Sequence, residues 1–590
     1  MTQQHRPPAG QRVAATPATS DPAEADIAET DLSALAREYW DSVLADEPLF
    51  ATSIGDRRYD DRLDDPRPAA RAARLVRLDA FAARESALDD RTLDIPGRVT
   101  RSALREAVRG DLARLRTGLD DWTVDPLEGP QIEFSNIEAY QPVTTPAQGA
   151  AMIARWRAMG PYLDATIENL RHALTEGRVA VRTPVARTIA ELDAEAATPD
   201  ASLALLAPAR AGHPDWSAAD LDAFRSGLAD AVSTIVRPGF ARLRAVLADE
   251  ILPAARPDDR PGIIHVPGGS AAYRDLIRHH TSLDLTAEDL HGTGLAEIAR
   301  IDAEFADLGA RVLGTHGLDE TLARLRDDPA LHFAIRDEIV AVAEASLDRA
   351  RAALPSAFGI LPRAGCDVVV MGPHEEEHST IAYYRQPAAD GSRPGQYFVN
   401  TSAPETRPRY EAEALAFHES IPGHHLQIAI GQELVGIPEF RRHLGPTAFF
   451  EGWGLYAERL ADEMGLYSSG LDRFGILSFD AWRACRLVVD TGMHALGWSR
   501  DAAIDFMRGH TALGANNVAN EVDRYIVWPG QALAYKAGQM EILRLRDEAR
   551  AALGARFDVR GFHDAVLSGG ALPLATLRDV VARWVEAPAS

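Results

Sequence analysis

Residues 411–430 read EAEALAFHESIPGHHLQIAI, a helix-period stretch that is interrupted at its middle. Up to Ile421 the apolar positions recur with the helical repeat. Pro422-Gly423 then breaks the run, because proline lacks a backbone donor and its ring clashes with the preceding turn. Three histidines and a glutamate crowd the break: His418, Glu419, His424 and His425. In the HExxH arrangement two histidines one turn apart share a zinc ion and the glutamate between them activates water. The residue four after His418 is Pro422, so the strict motif is absent. In an unbroken helix His424 would point about 120° away from His418, and His425 would lie roughly 10 Å along the axis. Neither lets two imidazoles reach one zinc at about 2.0–2.1 Å each. A shared metal requires the helix to loop out, and a Pro-Gly pair is a chemically sensible place for it to do so. With two residues extruded His424 takes the second ligand position; with three, His425 does. The bland alternative is a kinked helix with incidental histidines.

A third ligand is expected from the next helix. Residues 447–460 read TAFFEGWGLYAERL, which sets Glu451 among Phe449, Phe450, Trp453 and Tyr456. That apolar setting disfavours an unpaired carboxylate, so Glu451 calls for a cation. Glu458, seven residues on, shares the face and reads as a carboxylate that orients a ligating histidine, or as half of a surface ion pair. The expected cofactor is zinc held by His418, His424 and Glu451, with Glu419 as the general base.

Outward from this centre the chain of 590 residues is dominated by helix-period segments, among them 147–174, 221–247, 287–313, 447–464 and 476–496. Strand patterns are few: 366–371, 381–384 and 397–400, all just ahead of the histidine stretch. The expectation is a mostly α, large helical, metallopeptidase-like fold with a small β-sheet beside the active-site helix. Residues 1–31, rich in Pro, Ala, Thr and Gln, read as a disordered leader, and 32–590 as a single helical zincin-like domain with room for two lobes around a cleft. A net charge of -25 argues against nucleic acid and anionic membranes as partners. No apolar run reaches the length of a membrane span. Two isolated cysteines, Cys366 and Cys485, fit a reducing, cytoplasmic setting and leave His and carboxylates as the available ligands.

The stretches HESIPGHHLQ, FFEGWGLYAERL, RLVVDTGMHALGWSR and EVDRYIVWPGQALAYKAG, with EPLFATSIGDRRYDDRLDD and YYRQPAADGSRPGQYFVNTS, resemble the bacterial domain of unknown function 885 family. The resemblance implies a helical fold similar to the thermostable carboxypeptidase Taq family, within the gluzincin metallopeptidases. The carboxypeptidase motif ends in Gly-His, as Gly423-His424 does, with two residues inserted before it here. In gluzincins an edge strand ahead of the metal helix binds substrate as an added strand; the counterpart is 397–400, with Asn400 as the candidate substrate contact. The segment Tyr535 to Gly538 matches the end of the carboxypeptidase family's C-terminal stretch, with a longer distance from the preceding Pro529. Tyr535 is therefore the candidate donor to the oxyanion, with Tyr525 as the runner-up.

Three features have competing readings. The loop 372–378, GPHEEEH, offers ligands for a second metal but reads first as a solvated charge run. Asp490 and His494, four apart, either support a ligand or form a buried pair. Lys536 is the only lysine among 62 basic residues. A compact ammonium there either anchors a substrate's terminal carboxylate or pairs with a buried acid near the metal, unless it is a codon accident. The expected function is zinc-dependent hydrolysis of peptide or peptide-like amides, with carboxypeptidase action as one form of it. A non-peptide amide or ester hydrolase and a non-catalytic metal-binding scaffold are the alternatives; the presence of Glu419 weighs against the last.

Overall fold

A computed structural model describes residues 31–587 apart from 373–375, 377–379, 389–390 and 392. Of the expected leader only Asp31 is described, at the start of the helix Asp31–Asp46, and most of the GPHEEEH loop lies outside the described residues. Helices hold 71% of the chain and strands 3%, so the protein is mostly α and its sheet is a local fitting against the helical body.

The helix Pro146–Thr175 shows how the sequence builds these elements. Thr145 and Gln148 close a capping box, Pro146 occupies the first turn, and Met152, Trp156, Met159, Leu163 and Leu170 form one buried stripe. With Ala218–Ala231 and Arg237–Val246 it encloses a core built on Trp156, Phe134 and Phe240. The segment expected as one helix over 221–247 is instead divided by π-helical turns at Val232–Val236 and Leu247–Ile251. Each turn lies just before a proline, Pro238 or Pro253, whose missing N–H the widened turn accommodates.

A second and larger core joins the N-terminal helices, the sheet, the histidine segment and the C-terminal helices. A third packs Ala287–Val312 against Arg473–His494 and Ala515–Val527. A cleft of about 1010 Å³ opens among these bodies, lined by residues from 50 to 571.

The sheet has strands β1 (Cys366–Val370), β2 (Ala382–Arg385) and β3 (Gly395–Val399). β3 is central, parallel to β1 and antiparallel to β2, with Cys366 opposite Gly395 and Ala382 opposite Val399. The strand expected at the edge therefore has neighbours on both sides. The strand whose outer edge faces the cleft is β2, whose Ala382, Tyr383 and Tyr384 line it.

Candidate metal centre

The histidine stretch folds as two helices, Ala412–Glu419 and His424–Glu433, with Ser420–Gly423 between them. Ser420 leaves helical geometry at φ -117°, ψ -103°. The chain closes again through a hydrogen bond from His425 N to Ser420 O of 3.0 Å. Gly423 is demanded by the turn: a Cβ there would lie 2.0 Å from His418 O. The indole of Trp453 donates to Pro422 O at 2.9 Å and clasps the loop from the neighbouring helix Thr447–Glu463.

This loop brings His424 to His418. Their rings lie 4.7 Å apart at 83°, and ligand atoms of His418, His424 and Glu451 all fall within 4.8 Å of one another. Nε2 of His418 is 3.6 Å from Glu451 Oε2, and Nε2 of His424 is 3.7 Å from the same oxygen. Atoms each about 2.0–2.1 Å from a tetrahedral zinc stand about 3.3 Å apart, so the spacing fits such an ion with small adjustment. Glu458 Oε1 meets His418 Nδ1 at 2.7 Å, which turns Nε2 toward the centre. Gly454 leaves room for that ring, since a Cβ on it would sit 2.6 Å from His418 Cε1. His425 is elsewhere: its Nδ1 meets the Tyr384 hydroxyl at 2.9 Å and its Nε2 meets Ala364 O at 3.1 Å.

The electrostatics are those of a site that attracts positive charge. Burial disfavours the imidazolium of His418, but its contacts with Glu451 and Glu458 outweigh that and push it up to about 9. Burial, with His418 adding to it, pushes His424 down to about 4. Glu451 falls to about 2 although burial opposes this, because both histidines face it. Burial pushes Glu419 up to about 7, against the pull of His418 and with the push of Glu451. A proton on His418 thus does part of what a cation at the centre would do for these carboxylates.

Tyr535 lies on the same cleft wall, with the Arg486 guanidinium 4.2 Å over its ring; burial and Glu451 raise its phenol. Three other expected residues are not open to the cleft. Asn400 is 1% exposed and fully engaged: Nδ2 donates to Glu376 O and Thr380 O, and Oδ1 accepts from Ser402. Its amide is spent on folding its own loop and does not line the cleft. Tyr525 is 1% exposed and donates to Glu521 while accepting from Arg486. Lys536, 1% exposed, is bonded to Asp480, to Gln539 at 2.8 Å and to Glu297 at 2.9 Å. Of its two readings, the buried acid is the one the geometry contains. Asp490 and His494 do not bond each other or a metal-site histidine. Asp490 accepts from Tyr273 and Gly530 N, and His494 bridges Ile263 N and Tyr525 O.

The cleft also holds residues that sequence reasoning missed. Arg483, Arg486 and Arg524 line it together with Glu521 and Trp482. Arg483 is 6% exposed, lies 4.3 Å over Trp482 and 4.7 Å over Phe479, and its Nε and Nη1 have no hydrogen-bond partner. The available signal was position: a charge set between two aromatics on an apolar helix face.

The family described as "Bacterial protein of unknown function (DUF885)" matches residues 48–581, and the chain belongs to it. A solved structure titled as a putative lipoprotein from Colwellia psychrerythraea is 26% identical, with a TM-score of 0.87 over 95% of this chain and 100% of that one. A second, titled as a putative lipoprotein of unknown function from Shewanella oneidensis, is 18% identical and shares the fold, with a TM-score of 0.73 over 93% of this chain and 99% of that one. No curated protein matches the chain.

Proposed function

We propose that this DUF885 member is a zinc-dependent hydrolase of peptide or peptide-like amide bonds that acts at the carboxyl end of its substrate. The observation that carries the reading is the convergence of His418, His424 and Glu451 across an interrupted helix, with Glu419 beside them on the cleft wall. The same residues support the narrower likeness to gluzincins and to the thermostable carboxypeptidase Taq family.

Bound by these three side chains, zinc would supply Lewis acidity toward water and a substrate carbonyl. Glu419 takes the proton of the attacking water and passes it to the leaving amine nitrogen. Tyr535 donates its phenolic proton in a hydrogen bond to the oxyanion. The outer edge of β2 aligns an extended peptide by main-chain bonds. Arg483, buried with two donors unmet, takes the substrate's terminal carboxylate. The proposed location is the cytoplasm, on the two buried, unpaired thiols, and fractionation of cells tests it against the titles of the solved relatives.

The test is metal analysis joined to turnover. Protein purified without chelator should carry about one zinc per chain, and His418→Ala, His424→Ala and Glu451→Ala should lose most of it, whereas His425→Ala should not. Glu419→Gln should keep the metal and lose about 10²–10⁴-fold in kcat on a mixed peptide library. Full occupancy in Glu451→Ala, or parental turnover in Glu419→Gln, overturns the assignment.

A further inference from the structure

A second cavity of about 720 Å³ adjoins the catalytic cleft, and Phe50 and Glu128 line both. Its arginines are already paired: Arg71 with Asp121, Arg74 with Asp46 and Glu47, Arg114 with Asp120. Asp111 accepts from Tyr39, and Asp125 from Trp528. Asp64 and Glu133, which also line the cavity, have no hydrogen bond or ion pair to another side chain among the described residues. Burial pushes Asp64 up to about 6 and Glu133 up to about 7, with Asp64 and Glu128 adding to the second. Two partly buried carboxyls thus face a chamber whose arginines are spent on other acids.

Two more groups point to a missing donor. Gln131, 4% exposed, spends its Nε2 on Asp125 O and Glu191, and its Oε1 is left without a donor. Thr188, 2% exposed, lines the same chamber with its hydroxyl unmatched. A metal ion is the poorer occupant. Among the described residues the one cluster of three or more close ligands is at His418, His424 and Glu451, and this chamber is walled in part by Leu49, Leu243 and Leu247. Acceptors in a partly aliphatic chamber suit a charged group on a carbon stem.

We propose that this chamber is a subsite for an ammonium or guanidinium group of the substrate, with Asp64 and Glu133 supplying the charge and Gln131 Oε1 a further acceptor. The proposal rests on the hydrolase reading only for the word substrate; binding of the cation stands without it.

The direct test is calorimetric titration of the full-length protein with agmatine, which carries a guanidinium and an ammonium on an aliphatic chain. Saturable binding is expected in the parent and in Glu419→Gln alike, weakened about 10-fold or more in Asp64→Asn and in Glu133→Gln. Neither carboxyl pairs with another side chain, and an amide oxygen can still take the backbone bond of Asp64, so both variants should melt no lower than the parent, which separates lost binding from lost folding. No binding in the parent, or undiminished binding in both variants, overturns the subsite whatever the peptidase assays give. Agmatine binding in a protein that cleaves no peptide supports the subsite and leaves the hydrolase reading alone to fail. Four matched peptides then identify the source of the charge, with lysine or norleucine inside the chain and a free or acetylated amino terminus. A preference for lysine that disappears in Glu133→Gln assigns a side chain, and a loss on acetylation assigns the terminus. Equal kcat/KM for all four peptides in the parent overturns the substrate half of the proposal.

Discussion

The helix Arg473–His494 contributes to two clusters of buried charge that are built on different arithmetic. In the first, Lys536, Arg300 and Arg459 meet Asp480, Glu297 and Glu304, so each cation has a carboxylate and the contacts close on themselves. In the second, Arg486 and Arg524 share Glu521, which also accepts from Tyr525 and Trp482, while Arg483 beside them has no ion pair among the described residues. Arg483 feels Glu458 and Glu451 but hydrogen-bonds to neither among the described residues, so two of its donors stay unspent in a chain whose net charge is -25. Lys536 at 1% exposure and Arg483 at 6% are comparably buried. What separates them is that Arg483 keeps unmatched donors and faces the cleft, whereas Lys536 does neither. Burial marks a charge as expensive to place; unfinished pairing marks where a ligand completes it.

The comparison breaks most sharply on removal of one closed charge. Lys536→Met should cost about 3–5 kcal/mol of stability in chemical denaturation, because Asp480 loses its nearest cation while staying buried. Equal stability of variant and parent would show that Arg300 and Arg459 suffice. Arg483→Met should do the reverse: no loss of melting temperature, but about 10²-fold in kcat/KM on peptides with a free carboxyl terminus, carried mainly by KM. C-terminally amidated peptides should show little change, and a matching loss on them would remove the carboxylate from the argument. Lys536→Arg is the milder probe. A guanidinium overfills a site fitted to an ammonium, at about 1–3 kcal/mol, with zinc content intact.

The smallest effect tests the acidic chamber as the mirror image of the arginine cluster. Asp64 and Glu133 hold protons up to about 6 and about 7 in the folded chain, against about 3.9 and about 4.3 when unfolded. Between those limits the folded state binds more protons, so stability rises on acidification from pH 8 to 5 and the penalty returns as pH climbs through the folded values. Replacing both by their amides should flatten that rise: the full shifts would give about 4 kcal/mol, and solvent screening of these partly exposed groups reduces it to about 1–2 kcal/mol. Parallel profiles would mean that the two carboxyls are solvated.

The parts of this picture that were legible in the sequence are the local ones. The Pro-Gly break and the need for an extrusion there follow from spacing along one helix, and the need of Glu451 for a cation from its apolar neighbours; whether two or three residues loop out, bringing His424 or His425 round, stayed open. The sheet was recognisable strand by strand, yet its order was not: β3 pairs with β1, twenty-odd residues upstream of it, and no periodicity records which strand ends up in the middle. Asn400 and Tyr525 carried suggestive chemistry in exposed-looking motifs, and only tertiary packing shows that loop and helix partners consume it. Lys536 was conspicuous by rarity, which flagged a constraint without saying of what kind. The arginines failed for the opposite reason, since a residue type used throughout the chain gives no contrast.

One turn of the helix Thr447–Glu463 carries more than its share. Within four consecutive residues it provides the acid Glu451, the indole of Trp453 that grips Pro422, and the bare Gly454 on which the ring of His418 lies. These three cannot move separately, because a helical turn is a rigid unit. An indole in that turn also gives the proposed zinc site a readout: adding or stripping zinc should shift the emission through the bond of Trp453 to the loop that bears His424, and the shift should be absent from Trp453→Phe.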